Sequence, residues 1–285
     1  LLRYGTYAIQ ELLVKTDIMH LFNVPDFIHA PSLLKRCPIV YDCRTVYSYI
    51  IRLAYPQLSR AAGFVEKRLA RKADVVIAAN DPMAEVMMNI TDSPVFVVPN
   101  YPTREFRPKM KRKEARSRYA PEGRKAVLYV GALDFAHDID LILEAAKRIP
   151  DAAFLIAGDG PRRDEVIDKM KGLPNVRYLG WVSHDDVPDV INAADVCVEA
   201  LMVYYEPILH NDQDMWKIAE YATLKKPIVV TGLAPSPQYY LAKPATFAEG
   251  VKRALEGNTP LPQPRFWEDH SEPSILKAYS HLTSR

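Results

Sequence analysis

The sequence is short of glycine and cysteine, and it contains no long apolar run. It has 11 glycines against 23 prolines, which inverts ordinary usage and predicts many rigid turns. Its three cysteines, Cys37, Cys43 and Cys197, are scattered and odd in number, which argues against a disulfide framework and fits a reducing compartment. No run approaches the ~18 apolar residues of a membrane span, and no signal peptide is visible. We therefore expect a cytoplasmic protein.

Length and composition indicate folded domains. A chain of 285 residues suits two domains or one large α/β domain. Apolar residues make up 48% and charged residues 25%, which excludes a disordered or fibrous chain. The sequence opens with Leu1 and has no initial Met, so we expect a piece of a longer, soluble protein.

Positive charge is concentrated in one segment. The net charge is +2, but residues 104–125 carry ten Lys or Arg against three Glu, a local +7 that leaves −5 for the rest. This segment has no apolar period, so we predict a solvated basic linker over 109–125. The alternative is an arm that meets anionic lipid or a phosphate-bearing substrate. We expect no nucleic-acid partner, because no interleaved aromatic residues or known nucleic-acid motif accompany the charge.

Short apolar runs alternate with helical patterns along the whole chain. Before the basic segment, strands are predicted near 17–23, 38–43, 74–79 and 95–98, with helices near 2–15, 54–72 and 81–90. After it, strands are predicted at 126–130, 153–157, 175–179, 195–199 and 227–231, with helices at 138–149, 161–171, 185–193 and 213–223. Continuous apolar strands separated by helices are typical of parallel sheets covered on both faces. The pattern predicts doubly wound α/β domains, which bind ligands beyond the carboxyl ends of their strands.

The turns after the second set of strands carry residues suited to a nucleotide. They hold Gly131, the run Gly158-Asp159-Gly160, and Gly180-Trp181-Val182. A glycine turn that leads into a helix offers backbone N–H groups to a phosphate, and a carboxylate such as Glu220 can accept both hydroxyls of a ribose. Each turn by itself is more often just a tight turn. Their occurrence on one edge of one sheet favours a nucleotide site.

Motifs for several other chemistries are missing from the sequence. It has no HExxH or CxxC motif, so we expect no metal site. It has no GxSxG elbow, P-loop or GxGxxG fingerprint either. We therefore expect chemistry that needs neither a metal nor a protein nucleophile.

Four segments together resemble the retaining glycosyltransferases of family 4. They are VLYVGAL at 127–133, IAGDGPRRDEV at 156–166, NVRYLGWVSHDDVPDVINAADVCV at 175–198 and KIAEYATLKKPIVVT at 217–231. The resemblance implies the GT-B fold, in which two Rossmann-like doubly wound domains face a cleft. It implies an incomplete acceptor-side domain at 1–108, to which 269–285 crosses back. The linker at 109–125 then leads to a nucleotide-sugar-binding domain at 126–268.

The resemblance also implies roles for individual residues. Glu220 would bind the donor ribose, and Lys217 would neutralise the leaving diphosphate as a catalytic residue. Arg44 falls where the family often has a cleft histidine, so it is the second predicted catalytic residue. The remaining predicted donor-binding residues are Gly131, His137, Gly158, Gly160, Trp181 and Val182.

Each of these residues also has a structural interpretation. Glu220 could simply pair with Lys217 across one helical turn. Trp181 could pack between strand and helix, and His137 could begin a helix. Arg44 could pair with Asp42, although residues two apart in a strand need not touch.

The sequence departs from the family at the phosphate site. The usual arginine after the first glycine is Ala132, and the usual lysine aligns with His137. The family pairs two glutamates with seven residues between them, but Asp212 stands at that distance from Glu220. Glu206 would substitute only if the intervening segment is longer than usual.

The resulting hypothesis is a metal-independent, retaining glycosyltransferase. It would move a sugar from a UDP- or GDP-linked donor to a glycan or lipid-linked acceptor, with no other cofactor. The alternative is a non-catalytic nucleotide-sugar-binding or scaffold protein of the same fold. Peripheral membrane contact through the basic helix at 60–72 remains open, the alternative being a solvated surface helix.

Overall fold

A computed structural model describes residues 10–23, 25–121, 123–202 and 209–283. The chain divides into two compact units, 1–100 with 267–285 and 101–266. No helix within the described ranges is long and apolar enough to cross a membrane.

The first unit is built on a four-stranded parallel sheet in the order β1-β2-β3-β4. Its strands are β1 (Met19–Phe22), β2 (Ile39–Cys43), β3 (Val75–Ala78) and β4 (Val95–Val97). The helices are α1 (Tyr47–Ala54), α2 (Ser59–Lys72), α3 (Asp81–Met88) and, at the end of the chain, α10 (Trp267–Thr283), with 3₁₀ turns at Asp26–Leu34 and Pro56–Leu58. All residues of β2 and β3 are buried, as their continuous apolar runs predict.

One helix of this unit differs from the sequence prediction. The helix predicted at 54–72 is divided, because Tyr55 leaves helical geometry and Pro56 opens a 3₁₀ turn between α1 and α2. The helix α10 packs on the sheet, where Ala278 and Leu282 join a buried cluster with Val40, Val75 and Ile77.

The second unit contains a six-stranded parallel sheet in the order β10-β9-β8-β5-β6-β7. Its strands are β5 (Ala126–Val130), β6 (Ala153–Ala157), β7 (Val176–Gly180), β8 (Val196–Ala200), β9 (Ile228–Thr231) and β10 (Tyr240–Leu241). Its helices are α4 (Arg112–Tyr119), α5 (Ile139–Arg148), α6 (Arg163–Met170), α7 (Val187–Ala193), α8 (Trp216–Thr223) and α9 (Phe247–Leu255). One buried cluster covers each face of the sheet. The chain runs outward from β5 to β7 and then returns to β8, so the topological switch point lies between β5 and β8.

The predicted basic linker differs most from the structure. Residues 112–119 form α4, which packs against α7 within the second unit. Arg112 and Arg116 donate to the last carbonyls of α7 and to Asp195, whose carboxylate also accepts from Ala126 N–H at 2.7 Å. Cations at a helix carboxyl terminus are favourable, so the charge that suggested a solvated linker instead anchors this helix.

Candidate active site

A pocket of about 230 Å³ opens where β5, β6 and β7 end. Trp181 lines it and is 71% exposed, so the interpretation of Trp181 as a packing residue is wrong. Its ring is available to a ligand. The lining residues are Val130, Gly131, Ala132, Gly158, Asp159, Trp181 and Val182.

The two glycine turns in this pocket pack against each other. Gly158 has a φ of +138°, and an added Cβ would collide with the carbonyl oxygen of Gly131. At Gly160 an added Cβ would collide with the backbone of Leu133. Leu133 N–H donates to the Asp159 carbonyl at 2.9 Å, which locks the turns together. The structure therefore explains Gly158 and Gly160 by turn packing, and only Gly158 lines the pocket.

Lys217 reaches from the first turn of α8 to the end of β5. Its Nζ lies 2.7 Å from Oε2 of Glu199 and 4.7 Å from the centre of the Tyr129 ring. An added Cβ on Gly131 would collide with this ammonium group. Glycine is therefore required at 131 for the lysine to sit here, and a positive charge lies at the switch point, where an anion would bind.

Glu199 is a functional candidate that the sequence analysis missed. It lies in β8 and is completely buried, with Oε1 4.0 Å from Nε2 of His137. The available signal was one acidic residue within the apolar strand VCVEA at 196–200. A charge in a strand buried on both faces needs a partner, and Lys217 supplies it.

His137 lies beside this pair but is already engaged. Its Nδ1 is 2.7 Å from Oδ1 of Asp134, and its side chain is 12% exposed. Partial burial alone would raise the pKa of Asp134, but the hydrogen bond and charge of His137 outweigh burial and lower that pKa. His137 does not line the pocket at the glycine turns, so its donor-binding role stays a prediction.

Glu220 is buried on α8 and pairs with His184 rather than Lys217. Its Oε1 lies 2.7 Å from Nε2 of His184, so the predicted helical pair with Lys217 does not form. Burial raises the pKa of Glu220, although the His184 hydrogen bond and the charges of His184 and Lys217 oppose the rise. His184 is 69% exposed and lines a second pocket, of about 300 Å³.

Arg44 in the first unit has the contacts of a structural ion pair. Its Nε lies 2.7 Å from Oδ1 of Asp42, and its Nη2 donates to Oδ2 of the same buried carboxylate at 2.8 Å. Nη1 donates to the Val98 carbonyl and the Asn100 side chain. These contacts tie β2 to the segment after β4, and Arg44 lines neither of the two pockets described above. Its catalytic role stays a prediction.

The acidic position eight residues before Glu220 is also engaged elsewhere. Asp212 accepts from Ser236 Oγ at 2.5 Å and pairs with Arg265 at 3.2 Å. Burial raises its pKa against these contacts. These contacts give Asp212 a structural role, and Glu206 lies outside the described residues.

The fold and these turns define a Rossmann-like α/β unit, and comparison with known proteins shows which family it resembles. Residues 124–256 match the family model "Glycosyl transferases group 1". The second unit thus matches this glycosyltransferase family over most of its length, as the sequence resemblance predicts.

Curated relatives include α-D-kanosaminyltransferase of Streptomyces kanamyceticus, 29% identical over 182 residues, which are 59% of this chain and 45% of the relative. Mannosylfructose-phosphate synthase of Agrobacterium fabrum is 30% identical over 158 residues, 48% of this chain and 34% of the relative. The chain thus spans less than half the length of the curated relatives it matches.

Solved structures share the fold over nearly the whole chain. Sucrose-phosphate synthase from Thermosynechococcus elongatus matches with a TM-score of 0.70 and 16% identity, covering 99% of this chain and 75% of that one. Anabaena HepE in complex with UDP and glucose matches with a TM-score of 0.68 and 15% identity, covering 97% and 80%. The predicted GT-B fold is therefore confirmed.

Proposed function

We propose that the protein transfers a sugar from a nucleotide diphosphate sugar to a glycan or lipid-linked acceptor, with retention of anomeric configuration. The observation that carries the proposal is the Lys217 ammonium beside Gly131 at the switch point of the second sheet. That position meets the general rule for ligand binding in doubly wound sheets. The match of residues 124–256 to a glycosyltransferase family model supports the same reaction.

The donor would lie on the second unit. Glu220 would exchange its bond with His184 for the two hydroxyls of the ribose. Trp181 and Val182 would lie near the base, and the backbone at Gly131 would approach the diphosphate. The Anabaena relative holds UDP, which makes UDP the first nucleotide to test, with GDP beside it.

Lys217 would assist the bond-breaking step. The bond from the anomeric carbon to the diphosphate oxygen breaks, and the acceptor oxygen bonds to the same face of that carbon. The acceptor proton passes to the departing phosphate oxygen. Negative charge grows on the diphosphate, and a fixed ammonium group stabilises it without reorganisation. We propose that this lysine takes the place of a metal ion.

Contact with a membrane surface would bring a lipid-linked acceptor within reach. The exposed face of α2 presents one aromatic ring among basic side chains, with Glu66 buried beneath. A basic face with an apolar side chain favours binding to anionic lipid. The exposed basic and aromatic residues are Arg60, Phe64, Lys67, Arg68, Arg71 and Lys72.

One observation favours the non-catalytic alternative. The two positions that usually supply positive charge after the first glycine hold Ala132 and a His137 engaged by Asp134. A nucleotide-sugar-binding protein without transfer activity would also retain Glu220 and the pocket. Binding alone does not separate the two functions, so an assay of transfer is needed.

The test begins with calorimetric titration of UDP and GDP in the presence of EDTA. One nucleotide is expected to bind the wild-type chain, and Glu220→Ala is expected to weaken that binding at least tenfold, by roughly 1.4 kcal/mol. Glu220→Gln checks the same role in a variant of equal volume, and Glu144→Ala, at an exposed position of α5, is the matched control. Absence of binding by either nucleotide refutes the proposed donor site. An assay of labelled-sugar transfer then distinguishes an enzyme from a protein that only binds the nucleotide sugar.

A further inference from the structure

Glu199 is a buried carboxylate for which the proposed reaction has no role. It has no exposed surface, and within the described ranges neither of its oxygens has a hydrogen bond of good geometry. Its contact with Lys217 at 2.7 Å is an ion pair rather than a directed hydrogen bond. Burying a carboxylate is costly unless it is paired, so its presence directly behind the donor-site lysine requires an explanation.

The position of Lys217 does not depend on Glu199 alone. The ammonium group lies over the Tyr129 ring and 3.4 Å from the Tyr129 hydroxyl. It also fills the space that the missing side chain of Gly131 leaves. Only 14% of the lysine side chain is exposed, so it has little freedom to leave. Glu199 therefore mainly adds a negative charge next to a lysine that other contacts already hold.

We propose that Glu199 is the resident counter-ion of Lys217 and sets how tightly the donor site holds a nucleoside diphosphate. This inference rests on the proposed function. The diphosphate is part of the donor and also of the leaving group, which is the whole nucleoside diphosphate. A lysine with its full charge unopposed would bind donor and nucleotide product alike, and such uniform binding does not speed the chemical step. The charge of Glu199 weakens this uniform attraction, which allows the nucleotide product to leave.

The size of the effect follows from the depth of the pair. Charges close together near a protein surface interact through an effective dielectric far below that of water. Removing a full charge from directly behind the ammonium is therefore expected to change diphosphate affinity on the order of tenfold. A ligand without the second phosphate should sense little of it.

The experiment compares the affinities of UDP and UMP for the wild-type protein and for Glu199→Gln. If the protein binds guanine nucleotides, GDP and GMP are used instead. Glutamine keeps the shape and an acceptor oxygen but removes the charge. UDP is expected to bind on the order of tenfold more tightly to Glu199→Gln, whereas UMP changes less than about twofold. In protein that already carries Lys217→Gln, adding Glu199→Gln should give no gain in UDP affinity, because the charge that Glu199 opposes is gone.

Two further variants complete the experiment, one as a control and one as a substitute for Glu199→Gln. Asp189→Asn removes a different buried carboxylate of the same unit, one that accepts from Met110 N–H at 2.8 Å, and should leave both affinities unchanged. Glu199→Met, of similar volume, carries the same expectation if the glutamine variant does not fold.

Each outcome separates the inference from the function it rests on. Wild-type binding of UDP with equal or weaker binding by Glu199→Gln overturns the counter-ion role and leaves the proposed function standing. A gain that persists without Lys217 also overturns it. Absence of UDP and GDP binding by the wild type refutes both.

Discussion

Replacing Gly158 with alanine is expected to destabilise the second unit by about 3 to 4 kcal/mol. The φ of +138° is one that side-chain-bearing residues rarely adopt, which costs about 1 to 2 kcal/mol. The new methyl group would also collide with the Gly131 carbonyl oxygen, a backbone atom that cannot rotate away. The turns would have to separate, which strains the hydrogen bonds from Gly131 N–H to Ala157 and from Leu133 N–H to Asp159. These bonds contribute about 1 kcal/mol each.

The matched control is Gly172→Ala. Gly172 also has a positive φ, of +91°, but nothing lies within 4 Å of an added Cβ. Its substitution should cost only the backbone term of about 1 to 2 kcal/mol. The difference between the two variants therefore measures the collision between the turns.

Urea denaturation followed by circular dichroism gives the free energies of unfolding. Hydrogen exchange at the amides of β5 and β6 then assigns the loss to the second unit. If Gly158→Ala costs no more than Gly172→Ala, the turns do not pack as tightly as the structure shows, and the explanation of Gly158 is wrong.

Two further predictions concern the charged groups at the end of α7. Burial, aided by the charges of Arg112 and Arg116, lowers the pKa of Lys226 to about 8. Because the unfolded chain then binds the proton more tightly, stability should rise by up to about 3 kcal/mol as the pH rises from 8 to above 10, and denaturation of Lys226→Met should lack this rise. Asp195→Ala removes the carboxylate that receives two arginines and Ala126 N–H, and should cost about 2 to 3 kcal/mol. Hydrogen exchange over 112–119 should quicken in this variant; unchanged exchange would show that α4 is held by other contacts.

The strands could be predicted because burial on both faces requires a continuous apolar run in the sequence. Runs such as AVLYV at 126–130 have no polar residue to place toward solvent, so they suit only the interior of a parallel sheet. The helix α4 has no such apolar pattern. Its only buried residue is Ala115, and its arginines are paired with groups about eighty positions away. No window along the sequence contains both members of these pairs.

The residues of the candidate site also differ in how readily the sequence identifies them. Gly131, Lys217 and Glu220 were identified because each occupies a recognisable place in a turn or a helix. Glu199 was missed because its importance comes from a lysine on another element, eighteen positions later. The sequence leaves the pairing of Arg44 with Asp42 open, because their contact depends on side-chain conformation as well as strand geometry.

The exposure of Trp181 has a practical consequence for spectroscopy. The sequence has three tryptophans, and Trp181 lines the pocket at the glycine turns, while Trp267 begins the terminal helix of the first unit. An indole that is 71% exposed emits at long wavelength, and covering it with a ligand would shift or quench that emission. With Trp216 and Trp267 changed to phenylalanine, the remaining fluorescence should report occupancy of this pocket directly, in real time and without any label on the nucleotide.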